Sequence, residues 1–104
     1  MTYGMIVRVN APVEVYDGAH GEVLAALDGR QADGLLCHIG RAVDGGFEVI
    51  EVWESKQAAD RFNDEVVVPA MVRAGVAMPD PPPELTEFEP LDVMIGTDQG
   101  LGAV

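Results

Sequence analysis

Three residues whose side chains could do acid–base or binding chemistry lie on one predicted β-hairpin. His38 lies in the apolar run 35–39, and Glu51 and Trp53 lie in the strand-like run 46–54. Side chains alternate between the two faces of a strand, and a two-residue turn preserves that parity, so all three share one face. A carboxylate beside an imidazole holds it in one tautomer, which is the arrangement that a general base needs.

The turn of this hairpin contains Asp44, Gly45 and Gly46. Its two-residue loop is either Asp44–Gly45 or Gly45–Gly46. With Asp44–Gly45 as the loop, three cross-strand pairs follow: His38 with Glu51, Leu36 with Trp53, and Arg41 with Glu48.

The candidate residues each allow two interpretations. His38 and Glu51 are either a general base with its orienting carboxylate or a polar pair that satisfies itself within a core or an interface. Trp53 either packs in the core or forms a platform for a ligand. The single cysteine, Cys37, excludes an internal disulfide and is either a buried thiol or a reactive nucleophile.

The remaining pattern predicts the elements that position this hairpin. They are a strand over 3–10, a helix from Pro12 to Gly29 whose apolar stripe includes Tyr16 and His20, strands over 34–43 and 46–54, a helix from Ser55 to Gly75 that Pro69 kinks or shortens, and a strand over 86–96. This order predicts a ferredoxin-like α+β fold, βαββαβ, with a four-stranded antiparallel sheet. We expect one domain over 1–96 and a flexible tail over 97–104.

The second and third predicted strands are largely apolar at the centres of both faces, which has a consequence for assembly. A sheet covered on one side only should alternate polar and apolar residues, and these strands do not. Two helices cover one face, so a copy of the same sheet is the simplest cover for the other. The sequence therefore predicts a homodimer that forms a dimeric α/β barrel.

Charge and motif content exclude several classes of function. The chain has 18 acidic and 6 basic residues and a formal net charge of −12, which argues against nucleic acid and anionic membrane surfaces as partners. We see no secretory leader and no run near the ~20 apolar residues that span a bilayer, and we expect a cytoplasmic protein. His20, His38 and Glu51 could converge on a metal ion, but no metal-site spacing occurs, and neither does a dinucleotide or phosphate loop. We therefore expect no metal and no cofactor.

Four segments carry a resemblance to a known family: Gly34–His38, Asp44–Ser55, Asp60–Phe62 and Val68–Ala70. Over residues 3–75 the chain resembles small bacterial proteins of the dimeric α/β-barrel superfamily, and within it the antibiotic biosynthesis monooxygenase group. The segment Val-Trp-Glu-Ser at 52–55 is the most specific part of the match. The resemblance implies two ferredoxin-like subunits joined through their sheets, with a pocket in each subunit between sheet and helices.

The same resemblance carries expectations about activity. Some members oxidise aromatic polyketides with molecular oxygen and no metal or prosthetic group, others degrade haem, and many have no assigned activity. Members often place Asn on the first strand and Trp near the end of the third, which Asn10 and Trp53 match here. Haem degraders add a His on the second helix, where this chain has Asn63, so we do not expect haem degradation.

The leading hypothesis is a cofactor-independent monooxygenase, or a related isomerase or cyclase, that binds a small organic substrate near Trp53. His38 would accept a proton, Glu51 would orient it, and Asn10 or Asn63 would polarise a carbonyl. The alternative is a non-catalytic dimeric binding module, such as a stress or pathway accessory protein. An enzyme should have an open, mainly apolar pocket into which His38 or an Asn points, whereas a module has that face filled by side chains.

Overall fold

A computed structural model describes residues 2–76, 80–97 and 100–103 of the chain. Its elements are β1 (Tyr3–Val9), α1 (Val13–Leu27), β2 (Leu35–Val43), β3 (Gly46–Trp53), α2 (Lys56–Phe62), a π-helical turn (Asn63–Val67), α3 (Val68–Ala74), β4 (Glu84–Phe88), β5 (Met94–Thr97) and β6 (Gly100–Ala103). The first four strands form one sheet in the order β2-β3-β1-β4, and every neighbouring pair is antiparallel. The predicted ferredoxin-like α+β fold is confirmed.

The hairpin of β2 and β3 has the first of the two predicted loops, the one for which the cross-strand pairs were predicted. Val43 pairs with Gly46, so Asp44 and Gly45 form the loop, and Gly45 has the positive φ of 80° that this turn requires. Two of the three predicted cross-strand pairs, His38 with Glu51 and Arg41 with Glu48, are confirmed.

The third predicted pair is wrong. Leu35, not Leu36, lies opposite Trp53, because a bulge between Leu35 and Cys37 shifts the register at the start of β2. A bulge places one extra residue on one strand and reverses the parity before it. Leu35 therefore joins the face of His38, while Leu36 and Cys37 line a groove on the opposite side of the sheet.

The second helical segment continues through Pro69, because a wider π-helical turn precedes the proline. Ser55 caps the start as predicted, since its side chain accepts a hydrogen bond from the amide of Ala58 at 3.1 Å. The π-helical turn Asn63–Val67 then precedes α3. In a regular α-helix the ring of Pro69 would clash with the carbonyl of the residue four positions earlier, which explains why the interruption lies here. Gly75 ends the segment with a φ of 69°.

The C-terminal part differs from the prediction of one strand over 86–96 and a flexible tail over 97–104. β4 ends at Phe88, before Pro90, which has no amide to donate to a ladder. β5 then pairs with β6 in a separate two-stranded sheet, which includes part of the segment predicted as a tail. Residues 98, 99 and 104 lie outside the described part of the chain.

The apolar core lies between the sheet and the second helical segment. Trp53, Ala58 and Ala59 are buried together, and four half-buried residues pack on them: Tyr3, Ala32, Leu35 and Phe62. Trp53 has 1% of its surface exposed. Among the described residues, no helix has both the length and the apolar character needed to cross a membrane.

Candidate active site

A cavity of about 440 Å³ lies between the helix-covered face of the sheet and the helices. Side chains from three of the strands and both helical segments line it, and most of them are apolar. The polar side chains of the lining are those of Tyr16, His20, His38, Glu51 and Asn63, with the indole nitrogen of Trp53. A mainly apolar cavity of this size with a few converging polar groups is typical of a small-molecule site.

The polar groups of the cavity form a continuous hydrogen-bonded chain. The Tyr16 hydroxyl lies 2.9 Å from Nε2 of His38, and Nδ1 of His38 lies 2.7 Å from Oε2 of Glu51. The indole Nε1 of Trp53 donates to the other carboxylate oxygen, Oε1 of Glu51, at 3.0 Å. Both oxygens of Glu51 therefore have a donor.

The partners of the imidazole assign its tautomer. A carboxylate only accepts hydrogen bonds, so Nδ1 of His38 carries the proton that Glu51 receives. In the neutral ring Nε2 is then the acceptor, and the Tyr16 hydroxyl donates to it. The chain runs from a phenol through an imidazole to a carboxylate, an order that can move a proton away from the cavity.

Partial burial makes this network stronger than one in water. The side chain of His38 is 25% exposed and that of Glu51 13%, and hydrogen bonds in such surroundings are less screened. Every buried side-chain nitrogen and oxygen in the described residues has a partner. Burial, followed by the negative charges of Asp17 and Glu51, raises the pKa of Tyr16 above its usual value, so its phenol stays protonated at neutral pH.

Helix α1 carries Tyr16, which is the phenol end of the hydrogen-bonded network. Tyr16 and His20 are four residues apart and lie on one side of α1. Their rings stack at 5.3 Å between centroids, and His20 stacks on His38 at the same distance. Phe47 meets the edge of Tyr16 at 5.5 Å. The aromatic packing holds the phenol over β2, within reach of the imidazole.

Four of the five predicted site residues lie at this cavity and one does not. His38, Glu51 and Trp53 are joined by hydrogen bonds, and Asn63 lines the cavity from the π-helical turn. Trp53 combines its two interpretations, because it is part of the core and of the lining. Asn10 is exposed, one residue beyond Val9, which does line the cavity. Successive residues of an extended chain point to opposite sides, so the structure does not bring Asn10 to the site.

Sequence reasoning missed Tyr16, and it considered His20 beside His38 and Glu51 only as a metal ligand. Both belong to the stripe that predicted α1, and the pattern treats that stripe as core packing. Their spacing of four on a helix facing the sheet is the signal that places them beside His38. Cys37 is half-buried on the other side of the sheet, away from this network. No group of three or more His, Cys, Asp or Glu in the described residues is arranged to hold a metal ion.

Comparison with solved structures identifies the fold. No protein-family model and no curated protein matches the sequence. An antibiotic biosynthesis monooxygenase superposes with a TM-score of 0.62 at 16% identity, over 88% of this chain and 99% of the other. A variant of SnoaB, a cofactor-independent oxygenase from Streptomyces nogalater, gives 0.55 at 15% identity over 88% and 93%. The heme-degrading protein Rv3592 from Mycobacterium tuberculosis gives 0.55 at 18% identity over 88% and 95%. The chain therefore has the subunit fold of the antibiotic biosynthesis monooxygenase-like proteins.

One of these structures is a haem degrader, so the lining bears on haem binding. From the second helical segment, Asn63 offers an amide, which is not among the axial ligands that proteins use for haem, whereas Met71 offers a thioether, which is. Both ring nitrogens of His38 are already hydrogen-bonded. The remaining imidazole in the lining, His20, stacks on the rings of Tyr16 and His38. Both imidazoles of the described lining are therefore in contact with other side chains.

Proposed function

We propose that this protein is a small-molecule enzyme that removes a proton from an organic substrate in the cavity, leading to cofactor-independent oxidation or to isomerisation or cyclisation. One observation carries the proposal: an imidazole oriented by a carboxylate faces a mainly apolar cavity of about 440 Å³. A filled face, as in a binding module, would leave no such space.

His38 is the proton acceptor of this proposal. Its Nε2 has the electron pair that can take up a proton, because Glu51 accepts the hydrogen on Nδ1; in the structure this electron pair accepts the hydrogen bond of the Tyr16 hydroxyl. When Nε2 takes up a proton, the imidazolium that forms lies 2.7 Å from a carboxylate in partly buried surroundings. That ion pair stabilises the product of proton transfer, and such catalysis typically contributes a factor of about 10²–10⁴.

Oxidation without a cofactor takes its electrons from the substrate. Removing a proton from a CH₂ group flanked by a carbonyl or by aryl rings gives an electron-rich anion that reacts with molecular oxygen. The overall change, CH₂ plus O₂ to C=O plus H₂O, is balanced with no other reductant. The likeness to SnoaB, a cofactor-independent oxygenase, supports this reaction class. We expect no tight binding of haemin and no Soret shift when haemin is titrated into the protein.

We also propose that the protein works as a homodimer joined through the sheet face opposite the cavity. The helices cover the face of His38, whereas the other face presents apolar residues such as Ile6, Ile39 and Ile50 along paired strands. Ile39 is 49% exposed in the single chain. A second copy of the sheet would remove this apolar surface from water.

Anthrone is a suitable probe, since its CH₂ group lies between two aryl rings and oxidation gives anthraquinone and water. We expect the wild type to accelerate oxygen consumption, and His38→Gln to lower the rate by about a hundredfold or more. Glu48→Gln, which alters an ion pair outside the cavity, is the matched control and should keep the wild-type rate. Equal rates for the wild type and His38→Gln would contradict the proposal. Binding without turnover would favour the binding module.

A further inference from the structure

We infer that Tyr16 is the residue that meets the substrate, passing a proton from a substrate hydroxyl to His38, and that the site therefore selects neutral molecules with a phenolic or enolic O–H. This inference rests on the proposed function and names the substrate class of the same site. Loss of the O–H proton from an enol gives the same anion as loss of a proton from the CH₂ group of its keto form.

The geometry of the hydrogen-bonded network places Tyr16 between His38 and the space in the cavity that a ligand would fill. The only nitrogen of His38 able to accept a proton is Nε2, and the Tyr16 hydroxyl occupies it at 2.9 Å. Tyr16 also lines the cavity. A phenol oxygen that donates its hydrogen to an imidazole keeps its lone pairs free to accept another hydrogen bond. A hydroxyl of the substrate can supply that hydrogen.

The proton transfer through this arrangement is balanced at each atom. The substrate O–H bond breaks and its proton forms a new O–H bond on Tyr16. The hydrogen that Tyr16 held moves to Nε2 of His38, and the resulting imidazolium donates from Nδ1 to Glu51. Tyr16 is neutral before and after, so the relay does not require a free tyrosinate.

A second feature of the fold is built around the phenol of Tyr16. Gly40 lies on β2 directly under this ring: a Cβ at that position would come within 2.6 Å of Cζ and 2.7 Å of the hydroxyl oxygen. Any side chain at position 40 would push the phenol off its place. The absence of a side chain at Gly40 is therefore what lets Tyr16 reach His38.

The remaining lining favours neutral over anionic substrates. Of the residues that line the cavity in the described part of the chain, none is a lysine or an arginine, and Glu51 is its one carboxylate. The formal net charge of the chain is −12. An anion entering this cavity meets repulsion and finds no cation to pair with, whereas a neutral phenol or enol meets an acceptor.

The test uses 4-nitrophenol, whose anion absorbs visible light, and 4-nitroanisole, in which a methyl group replaces the hydroxyl hydrogen. At about pH 7, above the reference pKa of an imidazole and with much of the free 4-nitrophenol still protonated, we expect the ionised fraction of the probe to rise when it binds the wild type. We expect affinity for 4-nitrophenol to exceed that for 4-nitroanisole by about tenfold. Calorimetry gives the bound fraction, and absorbance gives the ionised part of it.

Variants separate the relay from the proton acceptor behind it. Tyr16→Phe should lose both the ionisation and the preference for the phenol, while still binding 4-nitroanisole. Gly40→Ala should show the same loss although it removes no polar group. Gly18→Ala is the matched control on α1, since a Cβ there meets nothing within 4 Å, and it should behave as the wild type.

Each contrary outcome has a distinct meaning. If Tyr16→Phe and Gly40→Ala ionise the probe as the wild type does, His38 meets the phenol directly; the inference about Tyr16 is then wrong and the proposed function stands. If the wild type binds the phenol without ionising it, or fails to bind it, the proton acceptor itself is wrong and both proposals fall.

Discussion

Two cross-strand pairs of one hairpin show how the faces of this sheet differ. His38 with Glu51 and Arg41 with Glu48 both join β2 to β3, three positions apart, and so point to opposite faces. The two carboxylates are similarly buried, with Glu51 13% and Glu48 15% exposed, but His38 is 25% exposed whereas Arg41 on the other side is 59% exposed. The carboxylate of Glu51 is bonded by an imidazole and an indole, while Glu48 faces two arginines.

The contrast indicates that location, more than residue type, separates a site from an ordinary surface contact. An exposed ion pair contributes about 0–1 kcal/mol because water and salt screen it. A partly buried hydrogen-bonded pair beside an apolar cavity is less screened and can act on a ligand. In our proposals, the same strands carry chemistry on one face and subunit contact on the other.

The largest effect on stability should come from the cavity face. Trp53→Ala removes the most buried large side chain and the indole donor of Glu51, so we expect the free energy of unfolding to fall by about 3–5 kcal/mol. Val72→Ala, at a site 73% exposed on α3, should change it by less than about 0.5 kcal/mol. Urea denaturation measures both. A loss below about 1 kcal/mol for Trp53→Ala would show that this core is not the anchor of the fold.

Substitutions on the sheet face opposite the cavity should change the stability of the dimer. Ile39→Glu places a charge on the apolar face, and burying an unpaired carboxylate in a dimer is costly, so we expect dimer dissociation to become roughly a hundredfold easier. Val72→Glu adds the same charge on the helix side and should leave assembly unchanged. Sedimentation across a concentration series provides the measurement. A wild type that is monomeric at micromolar concentration would refute the proposed dimer.

The two tyrosines of the chain should both ionise late in alkaline titration. Burial, followed by the hydrogen bond to Glu87, raises the pKa of Tyr3 to about 12, and the pKa of Tyr16 is raised mainly by burial. The folded state then holds these protons more tightly than the unfolded chain. Their contribution to stability is complete below pH 10 and is lost as the pH rises towards about 12.

Absorbance of the phenolate provides the readout, because the chain has only these two tyrosines. Tyr3→Phe should leave a single transition that belongs to Tyr16, still above the ordinary value. A transition at the pKa of an exposed tyrosine in that variant would mean that the Tyr16 hydroxyl is open to water and not held against His38.

The smallest effect belongs to the exposed pair. Glu48→Gln removes a charge facing Arg8 and Arg41, and we expect a loss of at most about 1 kcal/mol that shrinks further in high salt. Glu51→Gln should cost roughly 1–3 kcal/mol, since it leaves a partly buried imidazole with a poorer partner. Equal and salt-sensitive losses for both variants would remove the distinction between the two faces.

Much of the fold follows from the sequence because its local signals agree. The turn at Asp44 and Gly45 and the alternation of β3 fix the parity of His38, Glu51 and Trp53 without any tertiary information. The register error at Leu36 arose from a bulge, which adds one residue and has no signature in the alternation of these apolar side chains.

The rest of the site depends on packing that sequence patterns do not describe. Tyr16 reaches His38 because α1 lies across β2 at Gly40. The apolar periodicity of a helix does not indicate which strand that helix packs across. The resemblance placed Asn10 at the site. In the structure β1 ends at Val9, and the side chain of Val9, not that of Asn10, lines the cavity. The hairpin of β5 and β6 was missed because a Gly-rich segment has little side-chain pattern to read.

The most direct test of the account compares thermal unfolding with ionisation of bound 4-nitrophenol for His38→Gln and Glu51→Gln. We expect His38→Gln to remain folded, with a midpoint near that of the wild type, and to lose the ionisation entirely; Glu51→Gln should weaken it, since the imidazole remains without its orienting charge. If both midpoints fall steeply while each folded molecule ionises the probe as the wild type does, the pair is purely structural and the catalytic assignment is wrong.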